Sequence, residues 1–208
     1  MIEQGTDAWK ALRVGKATAS RIADAIAKTK TGWGASRANY CAELVAERLT
    51  GQPADRFVSG PMQWGKDCEP QARSAYRFYT GNAVEKIDFV EHPSIAMSGA
   101  SPDGLVLDDG LIEIKCPSTS VHIATLLGAP IDPAYLTQMQ WQMACTGRDW
   151  CDWVSFDPRM PEDMALHIER VERDDKRIKE LEGLVADFLA EVAAKVDALT
   201  AKFRQEAA

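Results

Sequence analysis

Asp103, Glu113 and Lys115 are the residues whose types and spacing first point to chemistry. Asp103 follows Ser101-Pro102 and precedes Gly104, Glu113 lies inside the apolar run Leu111-Ile112-x-Ile114, and Lys115 follows it. Side chains alternate across a strand, so a strand through this run puts Glu113 and Lys115 on one face and Ile112 and Ile114 on the other. A tight turn at Asp108-Asp109-Gly110 returns the chain and sets Asp103 alongside Glu113. Two carboxylates and an ammonium group in one patch suit phosphodiester hydrolysis. Hard divalent cations such as Mg2+ prefer carboxylate oxygens and keep waters that can act as the nucleophile. Metal coordination lowers the pKa of such a water and offsets charge on the phosphoryl oxygens. Lysine adds a point charge for the attacking water or the transition state. The same E-x-K pattern also occurs as a solvated face with a weak ion pair. Asp before Gly is a common turn residue. By themselves the three residues leave both readings open.

The elements that would position them follow from periodicity and punctuation. Thr18 or Ser20 caps a predicted short helix over Arg21–Ala27. Residues 28–34, with two Gly around Trp33, read as an exposed loop. Ser36–Leu49 is a predicted helix with Tyr40, Leu44 and Leu49 or Val45 on its apolar side and Gly51 beyond its end. Pro61–Tyr79 is a third, with Pro61 in its first turn and Gly81-Asn82 stopping it. The period then changes: Val84–Val90, the run around Ile95–Ser98, Gly104–Leu107 and Leu111–Cys116 read as strands. Helices are predicted over Thr119–Leu127 and Pro133–Cys145, and strands over Trp150–Phe156 and Met164–Val171. A long helix over Asp174–Phe203 carries the stripe Ile178, Leu181, Val185, Phe188, Val192, Val196, Leu199, Phe203. This order predicts an α/β fold: a mixed central sheet flanked by helices, with a long C-terminal helix. The expected organisation is a single domain over 1–208, with N-terminal helices in 1–82, catalytic sheet and helices in 83–172 and the C-terminal helix in 173–208.

Composition narrows the function classes. The chain has 208 residues, 46% hydrophobic and 26% charged, as in ordinary globular proteins. No apolar run approaches the roughly 20 residues that span a bilayer, and residues 1–5 show no secretory leader pattern. The five cysteines are odd in number and scattered without a CxxC pair, which favours reduced thiols in the cytoplasm. The net charge of −7 argues against a nonspecific nucleic-acid coat protein but not against a nuclease, which needs only a local basic surface. Neither GxGxxG nor GxxxxGK[ST] occurs, so dinucleotide and P-loop functions find no support. His92, His122 and His167 have no mutual ligand spacing.

Ser101-Pro102-Asp103-Gly104 followed by Glu113-Ile114-Lys115-Cys116-Pro117 resembles the core of the PD-(D/E)XK nuclease superfamily. More narrowly, the chain resembles the phage-lambda-type alkaline exonucleases, also called YqaJ-like viral recombinases. Supporting segments run in order along most of the chain: Glu3-Gln4-Gly5 through Trp9, Leu12-Arg13-x-Gly15, Thr18-Ala19-Ser20, Trp64-Gly65-Lys66 with Glu69, Tyr135-x-x-Gln138-x-Gln140 and Asp157-Pro158-Arg159-Met160. The resemblance implies a Mg2+-dependent enzyme, with Mn2+ a possible substitute, that degrades one strand of linear duplex DNA from 5′ to 3′ and leaves a 3′ single strand. It further implies a phage- or prophage-encoded protein in the bacterial cytoplasm, a homotrimeric ring around DNA, and a single-strand annealing protein as partner.

Carried over by position, the resemblance makes Asp103 and Glu113 metal ligands, with the carbonyl of Ile114 as a further ligand. Lys115 assists the attacking water. Glu69 is the extra acidic residue near the metal, although Arg73 one turn on also offers it a plain ion pair. Gln138 sits near the site. Arg13 grips the 5′ phosphate, helped by the hydroxyls of Thr18 and Ser20 at a helix N-terminus. Arg13, Lys28 and Lys30 would line a ring's channel. Trp9 and Tyr135 each admit two readings, core packing or contact with the DNA or site. A related endonuclease or structure-specific nuclease, or an inactive DNA-binding subunit, remains the alternative.

Overall fold

The computed structural model describes residues 4–54 and 59–204. Glu3, in the first matching segment, lies outside them. Ten short strands and seven α-helices are present among the described residues. Asp7–Arg13 forms α1, which buries no side chain and is capped by Thr6, whose hydroxyl accepts from Trp9 N at 3.3 Å. At seven residues it is too short for its apolar spacing to stand out in the sequence. Ala17–Thr18 is β1. A 3-10 turn at Ala19–Arg21 then leads into the four-residue helix α2, Ile22–Ala25.

The capping expected of Thr18 and Ser20 is not made: neither the turn nor α2 has a side-chain cap. The segment expected as a loop is instead a small exposed hairpin, β2 (Lys28–Thr29) with β3 (Gly32–Trp33). Two helices follow the sequence closely. Ala35–Thr50 is α3, and Gly51 ends it in the left-handed conformation at φ 68°. Gly60–Thr80 is α4, with Ser59 capping and Gly81 closing it in the same way.

The predicted strand Val84–Val90 divides into β4 (Val84–Glu85) and β5 (Val90–Glu91), which join different sheets. The next strand falls at Ser98–Ala100, β6, later than its expected position. Gly104–Val106 (β7) and Gly110–Lys115 (β8) pair antiparallel as expected. Thr119–Leu126 (α5) and Pro133–Thr146 (α6) carry the chain over to Trp150–Phe156 (β9), which lies parallel to β8. A 3-10 turn takes in Met164, so β10 begins only at Leu166 and runs to Glu172. The helix α7 spans Asp175–Arg204.

The main sheet has the order β10-β9-β8-β7-β4 and is mixed, as expected: β8 and β9 are parallel and the other pairs antiparallel. A second sheet, β1-β6-β5, holds the N-terminal segment. Alternation along β8 divides the core. Ile112 and Ile114 face α4, where Cys68, Ala72 and Tyr76 pack on Val154 and Phe156. Leu111 faces α6 with Met139, Met143, Cys151 and Trp153. A third cluster joins α2 and α3 to Trp141 of α6 and to Leu181, Val185, Phe188 and Val192 of α7. The α7 stripe outruns this core, leaving Leu199 and Phe203 exposed. All five cysteines are buried and free. No helix among the described residues is long and apolar enough to cross a membrane.

Candidate active site

Strand β8 is where the site begins. Its register with β7 pairs Gly104 with Ile112, so Asp103 emerges one step beyond the ladder, beside Glu113. A side chain at position 104 would meet Val84 at 2.4 Å, which explains why glycine follows Asp103. Asp103 Oδ2 accepts the backbone N–H of Ile114 at 2.7 Å. Glu113 is buried, and its Oε1 accepts Lys115 Nζ at 2.6 Å. The alternation expected from sequence is therefore present, and Glu113 and Lys115 share one face.

Helix α6 lies over that face. Gln138 Nε2 donates to Glu113 Oε1 at 2.7 Å, and its carbonyl lies 3.5 Å from Lys115 Nζ. Tyr135 lies between the core and Lys115. Its ring packs against the apolar cluster under α6, and its centroid lies 4.4 Å from Lys115 Nζ. Gln142, one turn beyond Gln138, donates to Glu113 Oε2 at 2.7 Å. The sequence reading missed it, although its spacing of four from Gln138 placed it on the same helix face. Gln140, in the same matching segment, points elsewhere: it bonds Glu172 O and Asp174 N and braces the β10–α7 junction.

From the other side, α4 contributes Glu69. Its partner is Arg73, at 2.5 Å, so the plain ion pair exists. Arg73 also donates to the backbone carbonyl of Asp103, which ties that ion pair to the site. Desolvation, then Glu113, then Glu69, push the Asp103 carboxyl well above the usual carboxylate range. Lys115 is shifted the opposite way from what burial alone would do: desolvation favours the neutral amine, but Glu113 and Asp103 outweigh it and hold the ammonium charged.

That excess of negative charge, with carboxylate and carbonyl oxygens as donors, fits a hard divalent cation. Among the described residues no three His, Cys, Asp or Glu side chains form a ready cage. Mg2+ does not require one, since it commonly takes one or two carboxylates and retains waters.

A groove of about 1110 Å³ runs from Asp103 and Glu69 to Trp9, Arg13, Thr18 and Ser20. Trp9 is half-buried on a helix that buries nothing, so it is not a core residue. Its ring lies 3.9 Å from the guanidinium carbon of Arg13. Trp9 Nε1 and Arg13 both donate to Ser101 Oγ, at 3.1 and 3.2 Å. Ser101, in the segment quoted for Asp103 but given no role there, thus links the Arg13 end to the carboxylate end.

Thr18 Oγ1 is buried without a partner among the described residues, while the Thr18 N–H is taken by the Tyr40 hydroxyl at 3.1 Å. The expected helix N-terminus therefore contributes no free N–H at Thr18. The groove is also lined by Lys10, Lys16, Lys66 and Lys86, whereas Lys28 and Lys30 stand exposed at the hairpin. Local positive charge thus surrounds the carboxylates despite the net charge of −7.

A family model for the YqaJ-like viral recombinase domain matches residues 8–149, which takes in Arg13, Asp103, Glu113, Lys115 and both glutamines. The chain belongs to that family. The recombinase domain is also similar to the crystal structure of an alkaline exonuclease, LHK-Exo, from Laribacter hongkongensis. The two share 50% identity with a TM-score of 0.88, over 96% of this chain and 99% of that one. A second crystal structure, LHK-Exo in complex with dAMP, matches equally well. A phage-related exonuclease from Haemophilus somnus 129PT, at 17% identity and TM-score 0.66, shares the fold over 93% of this chain and 98% of that one. No curated protein sequence gives a significant match. The recombinase domain is a lambda-type exonuclease, a deoxyribonuclease of mixed α/β fold.

Proposed function

We propose that this exonuclease uses Mg2+ to degrade the 5′-ended strand of linear duplex DNA, leaving a 3′ single strand for recombination. The observation that carries this reading is the single groove that joins Asp103 and Glu69 to Arg13 and Trp9. At its acidic end Asp103, with Glu113 buried behind it, would hold the metal, and the Ile114 carbonyl and Glu69 would add further oxygens. The bound cation supplies an acidified water and charge neutralisation at the phosphate. Lys115 keeps its proton at Nζ and presents an ammonium to the attacking water and the phosphate. Before the cation binds, Gln138 donates to Oε1 of the Glu113 carboxylate.

At the far end Arg13 offers a planar fork to the terminal 5′ phosphate. The hydroxyls of Thr18 and Ser20 add donors, and Trp9 supports Arg13 and the terminal nucleotide. The 50%-identical relative was solved with dAMP, a mononucleotide of the kind that 5′-to-3′ digestion releases. The proposal extends to a single exonuclease domain acting in the bacterial cytoplasm as a homotrimeric ring, in company with a single-strand annealing protein. Mn2+ should replace Mg2+.

The test is digestion of 5′-phosphorylated linear duplex in Mg2+ beside a covalently closed circle. The linear DNA should be resected and the circle spared. Cutting of the circle would instead establish an endonuclease. Light scattering should give a mass near three chains, and a monomer at micromolar concentration would remove the ring.

A further inference from the structure

The carboxylate of Glu113 is held from two depths. Lys115 and Gln138 both reach Oε1, and Lys115 approaches from the half-open side of the site. Among the described residues Gln142 alone reaches Oε2, at 2.7 Å, and it is wholly buried. A carboxylate only accepts hydrogen bonds, so the amide must present its nitrogen to Glu113. The other end, Gln142 Oε1, is then buried with no partner among the described residues. Its helix neighbours Met139 and Met143 belong to the apolar cluster. A glutamine serving as core filler would have both ends satisfied, or would be replaced by an apolar residue, because an orphaned buried carbonyl is costly. The bond to Glu113 is what its position secures.

We propose that Gln142 is a positioning residue that pins Glu113 Oε2 and so leaves Oε1 as the oxygen presented to the metal. The proposal rests on the reading of Glu113 as a metal ligand. Lys115 and Gln138 can exchange partners when a cation arrives, since Lys115 is partly exposed and the Gln138 carbonyl already lies 3.5 Å from its ammonium. Gln142 cannot, because among the described residues its amide has no other hydrogen-bond partner. It fixes the plane of the carboxylate in both states and removes the freedom that would otherwise be lost on metal binding. Groups that orient metal ligands commonly change affinity by about 10- to 100-fold when removed.

The experiment measures Mn2+ binding to the full chain by calorimetry, without DNA, for wild type, Gln142→Met and Glu113→Gln. The Mg2+ concentration for half-maximal digestion and the KM for duplex DNA are measured alongside. Gln142→Met should bind Mn2+ about 10-fold or more weakly. Its Mg2+ requirement should rise by a similar factor, with KM for DNA unchanged. Were Gln142→Met not to fold, Gln142→Asn keeps the amide but falls a methylene short of Glu113, and should show the same loss. Wild-type Mn2+ affinity and Mg2+ requirement in a folded Gln142 variant, with binding lost in Glu113→Gln, would overturn the role of Gln142 alone. Unchanged Mn2+ binding in Glu113→Gln would overturn the reading of Glu113 and the proposal with it.

Discussion

Asp103 Oδ2 accepts the backbone N–H of Ile114 at 2.7 Å, so the first carboxylate is tied to the strand that carries the second. The two acids therefore keep a fixed separation before any cation arrives. That preorganisation sets what each substitution should do.

Asp103→Asn keeps an acceptor for Ile114 N–H and removes a charge that burial, Glu113 and Glu69 all disfavour. The variant should fold, with a melting temperature in metal-free buffer at or above that of wild type. Its exonuclease rate should fall by at least about 10²-fold, as when a group stabilising developing charge is lost. Differential scanning fluorimetry and a linear-duplex digestion assay measure the two quantities. A variant with near-normal turnover would remove Asp103 from the centre.

Lys115→Ala should lower the rate by about 10²- to 10³-fold, while duplex affinity changes little, because Lys115 acts on one phosphate among many. Fluorescence anisotropy with labelled duplex separates the two effects. A loss confined to binding would mean that Lys115 grips DNA rather than serving the reaction.

Arg13→Ala should abolish the preference for 5′-phosphorylated over 5′-hydroxyl ends. A charge-assisted hydrogen bond contributes about 1.5–3 kcal/mol, or roughly 10- to 100-fold in KM. Arg13→Lys should recover only part of this, since lysine lacks the planar fork. Competition between the two kinds of end is the readout, and an unchanged ratio contradicts the assignment.

Glu47 holds the loop between Arg13 and Ser20. It accepts Gly15 N–H at 2.7 Å and Ala54 N–H at 2.9 Å, and Gly15 sits at φ 70° with Arg48 too close to admit a side chain. Glu47→Ala leaves both donors unpaired, at about 1–3 kcal/mol for each that is buried. Urea denaturation should show this loss, and end discrimination should weaken as the loop shifts. Intact stability would mean that the loop has other support.

Asp157 gives a pH dependence outside the metal site. Burial by itself raises its pKa, but hydrogen bonds from Arg159 and Thr119 win and hold it down to about 2. The folded value lies below the ordinary 3.8, so the stabilisation is complete above roughly pH 4 and is lost as pH falls toward 2. Urea midpoints of wild type and Asp157→Ala should therefore converge as pH drops from 5 to 3. Parallel curves would contradict the pairing.

Periodicity and punctuation placed α3, α4, α6 and β7–β8 closely, because each has a continuous apolar stripe or a forcing Pro, Gly or Asp-Gly. It missed α1, which buries nothing, and the hairpin β2–β3, where two Gly around Trp33 signal a turn without its partner strand. It joined β4 to β5, since local β character does not say which sheet a strand enters. Within the site, alternation alone put Glu113 beside Lys115. The contact of Gln142 with Glu113, the link through Ser101 and the shared groove of Arg13 and Asp103 were not legible, because each depends on contacts between residues distant in sequence.

The sequence by itself determined that Glu113 and Lys115 share one face of a strand, with Asp103 returned beside them by a tight turn. Local sterics decide these, through the two-residue alternation of a strand and the tightness of an Asp-Gly turn. Only the tertiary structure decided which oxygen of Glu113 meets which glutamine, and that Thr18 leaves its backbone N–H to Tyr40 rather than to a ligand. Those choices follow from how α6 packs across the sheet and how α3 packs under the N-terminal strand, and such packing is settled by the whole core at once.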